Sequence, residues 1–173
     1  MNIQHVSNSP RRCARALDDI RLTKMVLEAA QMLCTVLNLE AGEQVTPYKN
    51  SHVHNPITKW AQHPVNWAWL WYWGNELGEE FMYRFGRRHA SHLVIQGLTF
   101  NYSKRILPNP KPKRWHNSAR HQGLGIDYSH IEDTRKAYRE YLLHRWRLQS
   151  KTPRKNGKIY PPVWTKRGPP AWR

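Results

Sequence analysis

The chain has 173 residues, enough for one domain of ordinary size with a real core, and nothing in it suggests two. Its 28 Lys and Arg against 12 Asp and Glu give a formal charge of +16 and a pI near 10.3, a field that gathers polyanions, nucleic acid first and anionic membranes second. No run of about 18 apolar residues is present to span a bilayer, the opening MNIQHVSNSPRR lacks the apolar run of a signal peptide, and Cys13 and Cys34 have no metal, redox or disulfide-framework spacing.

A soluble, cytoplasmic, monomeric protein with double-stranded DNA as partner and no membrane is therefore expected. Nine Trp and eight Tyr among so many cations supply rings that can fill a core or stack on exposed bases, and most of the Trp are expected in the core.

Residues 1 to 10 read as extended, with Ile3 and Val6 as the apolar anchors. Ser9-Pro10 then fits a capping residue followed by proline at the first helical position. Arg11, Arg12 and Arg15 follow, either as solvated surface or as phosphate contacts. From Asp18 to Leu37 the residues Leu22, Met25, Val26, Ala29, Met32, Leu33 and Val36 recur at helical spacing and predict one buried face. Arg21, Lys24, Glu28, Gln31 and Thr35 form the polar face. Asp18 and Asp19 fall in the first turn, where the macrodipole favours negative charge. Glu28 is left as the acid without such a task, either a functional carboxylate or a surface residue paired to Lys24 one turn earlier.

Asn38 to Asn55 reads as a polar loop carrying Tyr48, Lys49, His52 and His54. The His-x-His pair is a weak metal signal, and phosphate or base contact or plain loop histidines compete with it. Pro56 to Gln62 predicts a short helix, and His63-Pro64 starts a longer one to Phe85, stopped by Gly86. Trp67, Leu70, Trp71, Gly74, Leu77, Gly78 and Phe81 line one face, and the two glycines invite a close neighbour; Trp69, Trp73 and Tyr83 need a second layer or stay exposed. Arg84, Arg87, Arg88 and His89 end this helix, where the dipole accommodates cations. Residues 89 to 98 fit a short helix or a buried strand equally well.

Lys104 to Gly125 holds six Lys or Arg, no acid and three Pro. Lys104, Arg105, Lys113, Arg114 and Trp115 there form either an arm along a phosphate backbone or a solvated loop. Ser129 and Glu132 match a capping box opening a last helix to Leu148. The basic, aromatic remainder, 149 to 173, cannot build its own core and packs on the domain or extends from it. The expected fold is all-α: one compact helical domain over 1–148, with a basic Pro-rich loop and a C-terminal tail.

Acids are too scarce for a two-carboxylate metal nuclease, and no Ser-His-Asp or Cys-His pattern stands out. One carboxylate inside a positive nucleic-acid-binding face suits base excision, because breaking an N-glycosidic bond builds positive charge on the sugar that an ionised Glu can stabilise. An amine can instead attack C1′ and form a Schiff base, and the α-amine suits this with an ordinary pKa near 8. Glu28 is the carboxylate this chemistry permits, with the amine at Met1 or Asn2 as a candidate nucleophile. Neither a metal nor a cofactor is invoked.

Asp19-x-Arg21 followed seven residues later by Glu28 resembles the pyrimidine-dimer DNA glycosylases with endonuclease V activity, small all-helical phage-type enzymes with Asp-x-His and then a catalytic Glu at that spacing. A longer likeness, to phage proteins often filed under that name, runs through Asp19, Arg21, Lys24, Met25, Leu27, Glu28, Tyr48, Lys49, His52, Asn55, Pro56, Trp60, Asn66, Trp67, Trp69, Leu70, Tyr83, Arg84, Phe85 and Gly86. The resemblance implies attack on C1′ by the α-amine, support from Glu28, and kinked DNA with a flipped nucleotide. Arg21 stands where the family has His, which implies phosphate or base contact there rather than proton transfer. Residue 2 is Asn where the family has Thr, so the amine would belong to Met1. A non-catalytic nucleic-acid-binding protein and a base-modifying or transferase enzyme are the competing readings.

Overall fold

Three of the helices open on the same device, a capping side chain followed by proline. Ser9 precedes Pro10 in α1 (Pro10–Ala16), Asn55 precedes Pro56 in α3 (Pro56–Ala61), and His63 precedes Pro64 in α4 (Pro64–Phe85). In each, the cap side chain accepts a backbone N–H of the first turn, and proline occupies a position whose N–H has no helical partner anyway. The computed structural model describes residues 2–173, apart from the side chains of Phe100 and Asn101. Met1, one of the expected catalytic residues, lies outside the described residues.

The architecture is all-α, with one two-residue antiparallel ribbon, Arg120–His121 (β1) against Ile126–Asp127 (β2), as the sheet among the described residues. The long helix α2 (Asp19–Ala41) outruns the expected end at Leu37, because Asn38 stays helical and turns its side chain over the following loop. Its Oδ1 accepts from the Val45 and Thr46 backbone N–H groups at 3.0 Å and its Nδ2 donates to the Tyr48 carbonyl at 2.8 Å. A loop that takes its hydrogen bonds from a buried helical Asn leaves that residue no reason to break the helix. Gly42, at φ 75°, makes the left-handed stop instead.

Helix α4 is buried on most sides, against α1, α2, α3 and α5 (Ala90–Tyr102), so Trp67, Trp69 and Trp73 are all in the core while Tyr83 stays exposed. The segment that fitted helix or strand is thus the helix α5. It approaches α4 at the two glycines. A Cβ on Gly74 would sit 2.9 Å from the Ile95 side chain, and one on Gly78 would sit 2.1 Å from the His92 ring. Helix α6 (Thr134–Gln149) starts later than the Ser129–Glu132 pattern predicts. Asp133 is its cap, accepting from the Arg135 N–H at 2.9 Å, while the Ser129 N–H and hydroxyl both donate to Asp127. Asp127 captures Ser129 for the turn after β2, so the box cannot form.

The end of the tail packs on the helices. Trp164 is buried with its Nε1 donating to the Ala16 carbonyl at 3.1 Å, and Trp172 stacks on Trp146 at 5.5 Å. Residues 150–161 before it are exposed throughout. No helix among the described residues is long and apolar enough to cross a membrane. Cys13 and Cys34 are both buried and unbridged, and burial pushes the Cys13 thiol up to about 12.

Arg84, expected at the nucleic-acid surface, belongs to the interior, with 1% of its surface exposed. Its guanidinium donates to Glu80 at 2.8 Å, Asp19 at 2.9 Å and the Leu17 carbonyl at 2.8 Å, while Arg15 and Arg167 face Glu80 from outside. The helix-end reading of Arg84 misses this, because five donors on one rigid fork can serve several buried acceptors at once. Arg84→Met, which leaves Asp19 and Glu80 short of their buried partner, is expected to cost about 3–5 kcal/mol in denaturant unfolding. Arg84→Lys should recover only part of it. Unchanged stability with weakened DNA affinity would return Arg84 to the surface role.

Candidate nucleic-acid interface around Glu28

Glu28 projects from the middle of α2 into a cavity of about 220 Å³. The residue is 9% exposed, so the surface-residue alternative does not describe it, although the expected partner is present: Lys24 Nζ lies 3.3 Å from Oε1. The other oxygen, Oε2, accepts the backbone N–H of Asn2 at 3.0 Å. Asn2 therefore meets the carboxylate directly.

Asn2 is fixed there by its side chain as well. Its Nδ2 donates to the Ser118 carbonyl at 2.9 Å and its Oδ1 accepts from the Tyr138 hydroxyl at 2.6 Å. A shorter hydroxyl side chain in this position could not span both partners. Residues 3 to 6 behind it are all buried, more than the two apolar anchors of the sequence reading imply. Gln4 lines the Glu28 cavity, and its buried Oε1 has no hydrogen-bond partner among the described residues. An acceptor left this way costs about 1–3 kcal/mol.

Three elements bring cations to the cavity: Arg21 and Lys24 from α2, Arg120 with His121 from β1, and Arg145 from α6, beside Tyr141. Arg21 is largely buried and immobilised, donating to Asp18 at 2.7 Å and to the Gln149 side-chain oxygen at 2.9 Å. Burial holds Arg145 below the usual arginine range, with Arg21 pushing the same way and Tyr141 opposing. Burial likewise lowers His121, helped by Arg145, so this imidazole is disposed to be neutral. A single carboxylate among these cations leaves a strongly positive mouth, the arrangement that suits an anionic ligand over a neutral one.

Of the expected site residues, Glu28, Asn2, Arg21 and Lys24 come together here. Others do not. Arg11, Arg12 and Arg15 ride on α1 outside the cavity lining, Arg11 paired to Glu76 at 3.4 Å and Arg15 to Glu80 at 3.8 Å. Lys49, His52 and His54 are exposed in the loop before α3, with His52 in the left-handed region at φ 51°. Lys104, Lys113 and Arg114 are exposed on the Pro-rich loop, whereas Arg105 is engaged by Glu40 and lies 5.6 Å over the Trp67 ring. Gln4, Arg120, His121, Tyr141 and Arg145 went unselected. Arg120 stands in the basic Lys104–Gly125 stretch and Arg145 on the last helix, but no sequence spacing joins either to Glu28.

Trp115 is not a free stacking platform. It stacks on His5 at 3.5 Å and on Trp60 at 5.0 Å, and meets the edge of Trp69 at 4.8 Å. The Pro-rich loop is thereby riveted to the core by its aromatic residue. Within this layer His5 Nδ1 lies 2.9 Å from the Thr134 hydroxyl, and burial, reinforced by Arg135, holds the ring down at about 4. The ring is neutral when folded but protonates near its ordinary value of about 6.5 when unfolded. Stability is thus full above about pH 6.5 and declines as pH falls toward 4, by up to about 3 kcal/mol. Urea unfolding of wild type and His5→Gln between pH 7 and 4 should show a flatter profile in the variant; parallel profiles would overturn this assignment.

Comparison of the chain with protein-family models, with curated proteins and with solved structures found no match.

Proposed function

We propose that the protein is a DNA glycosylase that excises a damaged or modified pyrimidine, with Glu28 as its catalytic carboxylate. The observation that carries the reading is a buried carboxylate at the meeting point of a cationic cavity and the start of the chain. The charge of +16 brings the polyanion, and the fixed guanidiniums hold its phosphates. The Glu28 carboxylate then faces a sugar on which positive charge develops as the C1′–N bond breaks. The short likeness to pyrimidine-dimer glycosylases at Asp19, Arg21 and Glu28 supports the same assignment.

The proposed nucleophile is the amine at the start of the chain, on Met1 or, once Met1 is removed, on Asn2. Its lone pair attacks C1′, the glycosidic bond breaks, and its electron pair leaves with the base, which takes up a proton. The nitrogen then gives up one proton to Glu28 or solvent, its lone pair forms the C1′=N bond of a protonated imine as the C1′–O4′ bond breaks, and O4′ takes up a proton in return. The hydrogen bond from Asn2 to Oε2 supports a carboxylate within reach of that amine. Access to a paired base requires it to leave the stack, at a cost of a few kcal/mol that contacts in the cavity offset.

One contact favours a second reading. The Lys24–Glu28 pair at 3.3 Å is what a purely structural glutamate would make, and it fits a non-catalytic nucleic-acid-binding protein. The two readings separate in Glu28→Gln. If Glu28 is catalytic, excision from duplexes carrying a pyrimidine dimer or a modified pyrimidine falls at least about 100-fold with affinity kept. Borohydride in the presence of an abasic duplex then traps a covalent adduct on the N-terminal peptide of the wild type, read by intact mass. Equal reactivity of the two proteins would remove Glu28 from the chemistry, and no reactivity in either would leave the binding role alone.

A further inference from the structure

A second cavity, of about 280 Å³, opens on the other side of the same cations. Arg21, Lys24 and Arg145 line both cavities, so they form a shared ridge between them. The far walls are different in kind: Ile20 from α2, Leu148 from α6, Leu124 from the turn between β1 and β2, and Pro153 and Tyr160 from the exposed part of the tail. Ile20 is 42% exposed, Leu124 44% and Tyr160 37%. Apolar surface standing open to water beside a row of cations, on a chain this basic, matches a ligand that is flat and apolar at one end and anionic at the other.

The groups around this cavity are already committed. Gln149 spends its side-chain oxygen on Arg21 and its Nε2 on the Tyr160 carbonyl, at 2.8 Å, which ties the tail to α6 and sets the wall. The Arg154 guanidinium lies 4.6 Å over the Tyr160 ring, covering part of the ring and adding charge at the rim. With the amide spent, stacking and apolar contact are what the walls chiefly offer a base.

We infer that this cavity is a nucleobase subsite. It takes an unstacked base of the bound strand, with the adjoining phosphate on the Arg21–Lys24–Arg145 ridge and the next sugar facing Glu28. The inference rests on the proposed function for its strand but not for its chemistry, since it concerns binding alone. Recognition by stacking makes the subsite tolerant of base identity.

The test is the affinity of the full chain for a short single-stranded DNA and for a duplex with one abasic site, across a salt series. Tyr160→Ser and Leu124→Ser alter exposed side chains and no charge. They should weaken binding roughly 5- to 100-fold, in line with about 1–3 kcal/mol per stacked base, at an unchanged salt slope. Tyr160→Phe should bind within about twofold of wild type. A strand carrying 5-iododeoxyuridine should photocrosslink at Tyr160. Serine variants that bind as wild type does, or crosslinks confined to Trp115 or Trp172, would overturn the subsite and leave the cavity to a protein or lipid partner. Excision that depends on Glu28 without the Tyr160 effect removes only the subsite, and the Tyr160 effect without excision removes only the reaction.

Discussion

Two neighbouring carboxylates at the start of α2 hold the molecule together. Asp18 is fully buried and accepts from Arg21 of its own helix and from the Trp146 indole of α6 at 2.9 Å. Asp19, one residue on, accepts from Arg84 of α4 and from the Thr165 hydroxyl at 2.7 Å. Within two residues the chain ties its central helix to the helix before the cavity, to the most buried helix and to the tail. A buried anion is tolerable only when it is paired and hydrogen-bonded; Arg21 and Trp146 both donate to Oδ1 of Asp18, while its buried Oδ2 has no hydrogen-bond partner among the described residues.

The site inherits its rigidity from that corner. Arg21 cannot swing away while Asp18 and Gln149 hold it, so at least one cation beside Glu28 is fixed before any ligand arrives. Lys24 is the contrasting case, with 68% of its side chain exposed, and remains free to leave Glu28 for a phosphate. Among the described residues, the cavity at Glu28 brings Arg21, Lys24, Arg120 and Arg145 together with a buried acid and Asn2.

Helices were legible where periodicity and capping agreed. The Pro-started α1, α3 and α4 lie where their caps place them, and the buried face of α2 follows the spacing of Leu22, Met25, Val26 and Ala29. Sequence failed where a side chain took a partner other than the one its local pattern implied. Asn38 carried α2 four residues past the expected end, Asp127 drew Ser129 out of its capping box, and Arg84, in the last turn of α4 as expected, became the buried hub of an ion network instead of a surface cation. Of the site, Glu28 could be singled out because it had no local task. Arg120, His121, Tyr141 and Arg145 could not be attached to it, since a two-residue ribbon leaves no periodic signal and α6 meets α2 only through tertiary packing.

The tail has a consequence for how a strand would be captured. Its cationic stretch at Lys151, Arg154, Lys155 and Lys158 is exposed, yet Gln149 anchors it on one side and the Trp164 and Trp172 rings on the other. A free arm would lose the entropy of a whole chain on closing over a ligand; a span fastened at both ends loses only that of its own short loop. The protein thus holds this basic span half-drawn, like a handle rather than a rope.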